Sequence, residues 1–361
     1  MGLGGITTLC INHSTFNHFT FLGFPSSNNN LLLSPSSTTI VPCWGISLKF
    51  KPLSLYYLSF MATSTTTTHM HVSQGAPSEV FEASSSSSLV IGQHDLLIVG
   101  PGVLGRLVAQ NWRQEYPGCQ VFGQTVTTDH HEELIKMGIS PSLKWTEATH
   151  KFPYVIFCAP PYQSSDYLGD LRLAALCWNG EGSFLYTSSS APYDCNDNGS
   201  CDEDTPVVPI GRSRRTDVLL NAENIVLESG GYFFYFIPHA NLDLLNKEDK
   251  GAHAYWLEKG IVESRPDHIL NIIHYEDAAS LSVAILKKKF RGKIFLGCDN
   301  HPLSRQEIMD LVNQSGKFSK KFEKFTGTDD PLGKRLDNSK TRDEVGWEPK
   351  YSSFAHFLET L

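Results

Sequence analysis

Leu96-Leu97-Ile98-Val99-Gly100-Pro101-Gly102-Val103-Leu104-Gly105-Arg106-Leu107-Val108-Ala109 is the stretch whose reading decides the fold. Four consecutive apolar residues read as a strand buried on both faces, and the apolar spacing of Arg106-Leu107-Val108-Ala109 predicts a helix to Gln114. Between them stands Gly-x-Gly-x-x-Gly. In this context Gly100 permits a tight turn, Gly102 lets backbone approach a diphosphate, and Gly105 lets the helix pack on the strand. The helix start, Val103 and Leu104, offers its N–H groups to the anion. Gly100, Gly102, Val103, Leu104, Gly105 and Arg106 are thus the first candidate cofactor-binding residues.

Working outward, strands and helices keep alternating. Gln120–Gly123 reads as a strand, His130–Met137 as a helix and Tyr154–Cys158 as a strand, followed by a helix at Asp166–Trp178 and a strand at Ser183–Tyr186. That order implies an α/β fold, a doubly wound parallel (Rossmann) sheet with ligands at the carboxyl ends of its strands. Ala159-Pro160-Pro161 and Thr187-Ser188-Ser189-Ser190 fall at such ends, so Ala159 and Pro160 join the cofactor set. About 20 residues past the glycines, a carboxylate would bind the ribose of NAD. Gln124, Thr125, Thr127 and Thr128 stand there instead, and Asp129 comes late. An amide and hydroxyls suit a 2′-phosphate, with Arg106 as counter-charge, so the expectation is NADP ahead of NAD, with Thr125 among the contacts.

The chain has 361 residues, 40% hydrophobic and 19% charged, enough apolar material for a large core. Its 38 acidic side chains outnumber 30 basic ones, which argues against a nucleic-acid surface because such partners need a positive field. The first 78 residues contain no Asp or Glu, only Lys49 and Lys51 as Lys or Arg, and 23 Ser and Thr. The remainder then carries 28 basic against 38 acidic residues, a net of about −10. A hydroxyl-rich head over 1–90, acid-free through residue 78 and closing with Ser84–Ser88, has the composition of a chloroplast transit peptide or a disordered linker, with a cytoplasmic location as the alternative. Pro25, Pro35, Pro42 and Pro52 interrupt every apolar run in it, so no transmembrane segment is expected.

Eight cysteines show no zinc-ligand spacing, and the fourteen histidines form no ligand set, so no metal is expected. Cys195 and Cys201 flank a polar loop and are either a switchable disulfide or two loop thiols. Lys317, Lys320, Lys321 and Lys324 alternate with Phe318, Phe322 and Phe325 as in an amphipathic surface segment.

Several separate stretches resemble one family. Leu185-Tyr186-Thr187-Ser188-Ser189-Ser190-Ala191-Pro192-Tyr193, Asp202-Glu203-Asp204-Thr205-Pro206, Asn271 to Ala279 and Asp299 to Glu307 with Gly346-Trp347 are, with the glycine turn, similar to an atypical branch of the extended short-chain dehydrogenases/reductases. This is the NAD-dependent epimerase/dehydratase family, here resembling a plant plastid-type member. The resemblance covers about 94–361. It implies a Rossmann domain over 91–361 with a small C-terminal substrate lobe built mainly by 240–275 and 298–361. It also implies a catalytic role for Ser189, bound dinucleotide, a small-molecule substrate, and a monomer or homodimer.

The departures bear on chemistry. The family's Tyr-x-x-x-Lys pair maps to Arg215 and Leu219, counted from Ser189 and back from Glu223. Arginine stays protonated and leucine has no proton to exchange. Tyr255 and Lys259 have the right spacing some 40 positions too late, and Tyr193 or Tyr162 is the better substitute acid. At Gly231–Asn241 the strand is aromatic but lacks the family's arginine. The resemblance therefore implies an oxidoreductase- or epimerase-like protein with Ser189 and Tyr193 as catalytic candidates, or a catalytically inactive dinucleotide-binding sensor or scaffold.

Overall fold

The computed structural model describes residues 90–361 except 237, 243–248 and 251; the expected head, apart from Val90, lies outside the described residues. Seven strands form one parallel sheet: β1 (Leu96–Val99), β2 (Val121–Thr125), β3 (Ile139–Leu143), β4 (Phe152–Phe157), β5 (Trp178–Ser188), β6 (Tyr232–Phe236) and β7 (Ile294–Gly297). Their order is β3-β2-β1-β4-β5-β6-β7, so the winding reverses between β1 and β4. The crevice at such a reversal is where open α/β sheets bind ligands.

Alternation along β1 explains the two faces. Leu96 and Ile98 pack with Leu104, Val108 and Trp112 of α1 (Val103–Glu115) and with α6 (Tyr275–Lys288). Leu97 points the other way, into the cluster built by Leu171 and Ala174 of α3 (Tyr167–Cys177) and Ala222 and Val226 of α4 (Arg214–Glu228). Both faces are covered, which is why the central strands read as continuous apolar runs. Asp166 and Ser213 cap α3 and α4 by accepting from the N–H groups of Gly169 and Thr216.

Two strands extend beyond the expectation. Ile139-Ser140-Pro141-Ser142-Leu143 forms β3, and its proline is tolerated because β3 is the sheet edge. β5 starts at Trp178 rather than Ser183, with a register shift where Phe152 pairs Trp178 and Tyr154 pairs Ser183. The aromatic strand at 232–236 lies inside the sheet between β5 and β7.

A third apolar cluster gathers residues from the C-terminal part of the chain. Trp256 and Leu257 of α5 (Ala252–Lys259), Ile308, Met309 and Val312 of α7 (Arg305–Ser315), and Phe354, Phe357 and Leu358 of α9 (Phe354–Thr360) build it. Each such side chain contributes about 1.5–3 kcal/mol on burial. Ser304 and Glu307 close a capping box at the start of α7. Phe322 and Phe325 enter this cluster while Lys317, Lys320, Lys321 and Lys324 face solvent, as expected of an amphipathic segment. Asp277 does more than support the start of α6: its carboxylate accepts from Lys350 N at 2.7 Å and Tyr351 N at 3.0 Å, tying the C-terminal segment to that helix. Among the described residues no helix is long and apolar enough to cross a membrane.

Candidate functional site

The β1–α1 turn is built from backbone. Gly100 sits at φ +78°, and a Cβ there would stand 2.7 Å from Ala159 N and Cα, so this turn and the end of β4 touch main chain to main chain. At Gly105 a Cβ would meet Ile98 Cγ2 at 2.9 Å, the close helix–strand approach that the motif requires. Gly102 differs, because nothing lies within 4 Å of its Cβ position. It is also the N-cap of α1, without a side-chain cap, and the first helical bond runs from Arg106 N to its carbonyl at 3.0 Å. The N–H groups of Val103, Leu104 and Gly105 therefore have no intrahelical acceptor and open onto that space. Beside it, at the end of β2, the Gln124 side chain is buried with its Nε2 donor unpartnered. An empty cradle at a helix N-terminus and a buried orphan donor fit the diphosphate and a polar group of a dinucleotide.

The 2′-phosphate expectation meets committed side chains. Arg106 Nη1 pairs with Glu133 Oε1 of α2 (His131–Lys136) at 2.6 Å, and Nε reaches Pro101 O at 3.3 Å, so its charge is compensated within the protein. Thr125 Oγ1 donates to Thr127 O at 2.7 Å and lies 2.7 Å from His131 Nε2. Both residues stand where the sequence places them, yet each is engaged in building the β2–α2 connection. Ala159 O and the Tyr186 hydroxyl each lie 3.1 Å from the Tyr167 hydroxyl, and Pro160 leads into a short 3₁₀ turn over 161–163 that leaves Tyr162 exposed.

The end of β5 is made of side chains. Ser188 Oγ donates to the buried Glu223 Oε1 at 2.5 Å, fixing the strand end to α4. Ser189 is half-buried, and its Oγ accepts from Ala191 N at 3.3 Å. Tyr193 is buried; desolvation, with the carboxylates of Glu203 and Glu223 nearby, pushes its phenol well above the ordinary range, which makes it a weak proton donor. Arg215 is exposed in the first turn of α4, and Leu219 is buried on the same helix. Tyr255 and Lys259 lie on α5, where the ammonium sits 5.7 Å from the Tyr255 ring centroid.

Lys334, which the sequence did not single out, and two carboxylates from the quoted stretches complete this side. Lys334 Nζ donates to Ser190 O at 2.8 Å and Tyr193 O at 2.9 Å, so a lysine more than 140 positions away holds the serine loop. Glu203 Oε1 accepts from Thr341 N at 3.0 Å and Oγ1 at 2.5 Å, joining the acidic loop to α8 (Ser339–Val345). Asp299, just past β7, is buried with Oδ1 accepting from His301 N at 2.9 Å and Oδ2 unpartnered; burial pushes its carboxyl up to about 7. His274 caps α6, accepting at Nδ1 from Glu276 N at 3.2 Å, and burial pulls its imidazole down to about 4. No local pattern announces Lys334, which acquires its setting from distant chain.

No protein-family model matches the chain, and no curated protein matches it significantly in sequence. Solved structures do share its fold. A conserved protein of unknown function from Silicibacter pomeroyi is 19% identical with a TM-score of 0.59, covering 74% of this chain and 98% of that one. The dTDP-glucose 4,6-dehydratase of Bacillus anthracis, solved in complex with NAD, is 12% identical at TM-score 0.56, covering 73% and 95%. The UDP-glucose 4-epimerase of Thermotoga maritima, solved with UDP-glucose, is 14% identical at TM-score 0.57, covering 73% and 96%. With seven parallel strands wound to both sides, this chain has the Rossmann-type fold of those epimerase and dehydratase structures.

Proposed function

We propose that the protein binds a nicotinamide dinucleotide across the carboxyl ends of β1, β2 and β4 and acts as an oxidoreductase- or epimerase-like protein on a small molecule. The observation that carries this reading is the open space over Gly102 at the uncapped start of α1. Gly100, Gly102 and the N–H groups of Val103, Leu104 and Gly105 hold the diphosphate, Gln124 donates to the adenosine half, and Ala159 and Pro160 form the facing wall. The bound nicotinamide supplies hydride transfer. Ser189 orients a substrate oxygen from the end of β5, and Lys334 keeps its loop in place. Sugar nucleotides, named in the structural neighbours, head the list of substrates to try.

A second reading is a dinucleotide-binding sensor or scaffold without turnover. Arg215 and Leu219 favour it, because neither residue offers the proton that the Tyr-x-x-x-Lys pair handles, and burial raises the Tyr193 phenol above its ordinary range. Calorimetric titration with NADPH and NADH tests binding, and reduced-nicotinamide absorbance with a carbonyl and sugar-nucleotide panel tests turnover. Failure of both dinucleotides to bind removes both readings; tight binding without turnover leaves the second. NADP ahead of NAD remains the proposed preference. A chloroplast location is proposed from the head composition, and a fusion of residues 1–90 to a fluorescent protein tests it, with diffuse cytosolic signal against it.

A further inference from the structure

Six residues apart in sequence, Cys195 and Cys201 bracket Asn196-Asp197-Asn198-Gly199-Ser200, and the chain turns back so that Cys195 packs against the buried cluster that holds Cys201, its Sγ donating to Asp197 Oδ1 at 3.4 Å. The turn needs a left-handed residue, Asn198 at φ +63°, and a glycine: Cys195 Sγ stands 3.2 Å from the position a Cβ would take on Gly199. Both thiols are free. The loop is gripped from outside. Asn198 Oδ1 accepts from Gly333 N at 2.8 Å and Ile269 N at 3.2 Å, and its Nδ2 donates to Asp267 O at 2.8 Å. Ser200–Cys201 pairs with Arg335–Leu336 as a short parallel ladder. The pair thus sits where the chain leaving Ser189 and Tyr193 meets the segment 333–336.

The chemistry of the two positions is unequal. Cys195 is partly exposed and Cys201 is buried; burial and the neighbouring thiol push Cys201 up to about 12. Lys334, whose ammonium bonds Ser190 O and Tyr193 O, lies close enough to feel both sulfurs. A cation there stabilises the negative charge that develops on sulfur during exchange.

We propose that Cys195 and Cys201 are a reversible dithiol–disulfide pair, Cys195 being the entry thiol and Cys201 the resolving one, oxidised by exchange with a small-molecule disulfide. Cys195, as thiolate, attacks the disulfide, forms a mixed S–S bond and expels one thiolate. Cys201 then loses its proton to solvent, attacks the Cys195 sulfur and expels the second thiolate. The two protein thiols are oxidised, one external disulfide is reduced to two thiols, and no other electron acceptor is required. The closed ring is short, and the bond fastens the serine-loop exit against 333–336. This chemistry does not depend on the dinucleotide reading.

Full-length protein is equilibrated in oxidised/reduced glutathione buffers of graded ratio, quenched in acid, alkylated and mapped by peptide mass spectrometry. Wild type yields a 195–201 crosslinked peptide lighter by two hydrogens, reversed by dithiothreitol. Cys201→Ser yields glutathione trapped on Cys195, and Cys195→Ser yields no adduct on Cys201. Lys334→Met slows oxidation roughly tenfold, and Lys334→Arg restores the rate. Full alkylation of both thiols in the most oxidising buffer, pairing of either with another cysteine, or trapping on Cys201 in Cys195→Ser overturns the proposal.

Discussion

The two sides of the cleft are built from different materials. At the ends of β1, β2 and β4 the geometry comes from main chain: a glycine turn in contact with Ala159 and a helix start without a cap. At the ends of β5 and β7 it comes from side chains gathered across the sequence: Ser188 on Glu223, Lys334 on Ser190 and Tyr193, Asp299 buried with Oδ2 unpartnered. A backbone site survives almost any change in side-chain identity, whereas a side-chain site can lose its chemistry through two substitutions and keep its shape. That contrast accords with the proposed dinucleotide site at the glycine turn, while Arg215 and Leu219 on α4 offer neither acid nor base.

The sharpest break would come within the glycine turn itself. Gly100→Val places a branched side chain at φ +78° and drives it into Ala159, and should cost about 3–4 kcal/mol, read as a lowered urea midpoint. Gly102→Ala meets nothing in the fold and should change stability by less than about 1 kcal/mol, while weakening dinucleotide binding at least roughly tenfold by filling the cradle. Undiminished affinity in Gly102→Ala would show that the diphosphate lies elsewhere.

Next in size is the pH dependence of the side-chain half. Asp299, raised to about 7, keeps a proton in the folded protein that the unfolded chain gives up near pH 4. Its contribution is therefore complete below about pH 4 and is lost as pH rises to about 7, roughly 3 kcal/mol over the window. His274, lowered to about 4, works in the opposite sense: stability is full above about pH 6.5 and falls as the pH drops toward 4. The two slopes oppose each other between about pH 4 and 6.5. Asp299→Asn should remove the first and expose the second, so that the variant's unfolding free energy climbs with pH through that range. A variant curve parallel to wild type would mean that Asp299 titrates normally.

Glu223→Ala leaves Ser188 buried without its acceptor and should cost about 2 kcal/mol, with Glu223→Gln costing less because the amide oxygen still accepts. Equal losses in the two variants would show that charge, and not the hydrogen bond, holds α4 to β5.

The same contrast governs what could be read from the sequence. The glycine turn, α1 and the order of the first strands are written in local spacing, because a backbone site needs only particular residue types at fixed offsets. β3 escaped because Pro141 argues against a strand unless its edge position is known. Ser189 was legible as a strand-end residue, but Lys334 beneath its loop was not, since 144 positions separate Lys334 from Ser190. The bonds of Asp277 to Lys350 N and Tyr351 N appear only in three dimensions, since more than 70 positions separate them.

The smallest expected effect tests where the backbone half does use a side chain. Residue types at the end of β2 favour a 2′-phosphate, with Arg106 as its counter-charge, but Arg106 is already neutralised by Glu133 at 2.6 Å. A partly exposed pair of this kind is worth about 1 kcal/mol at most. Removing Arg106 from an electrically balanced pair should therefore shift the NADPH-to-NADH affinity ratio of Arg106→Met by less than about threefold. Glu133→Gln leaves the guanidinium uncompensated beside the cleft and should raise that ratio by about threefold to fivefold, an increase that shrinks as salt is added. If Arg106→Met instead collapses the ratio by more than tenfold, the arginine must leave Glu133 for the phosphate, and the β2 end would belong with β5 as a site made by side chains.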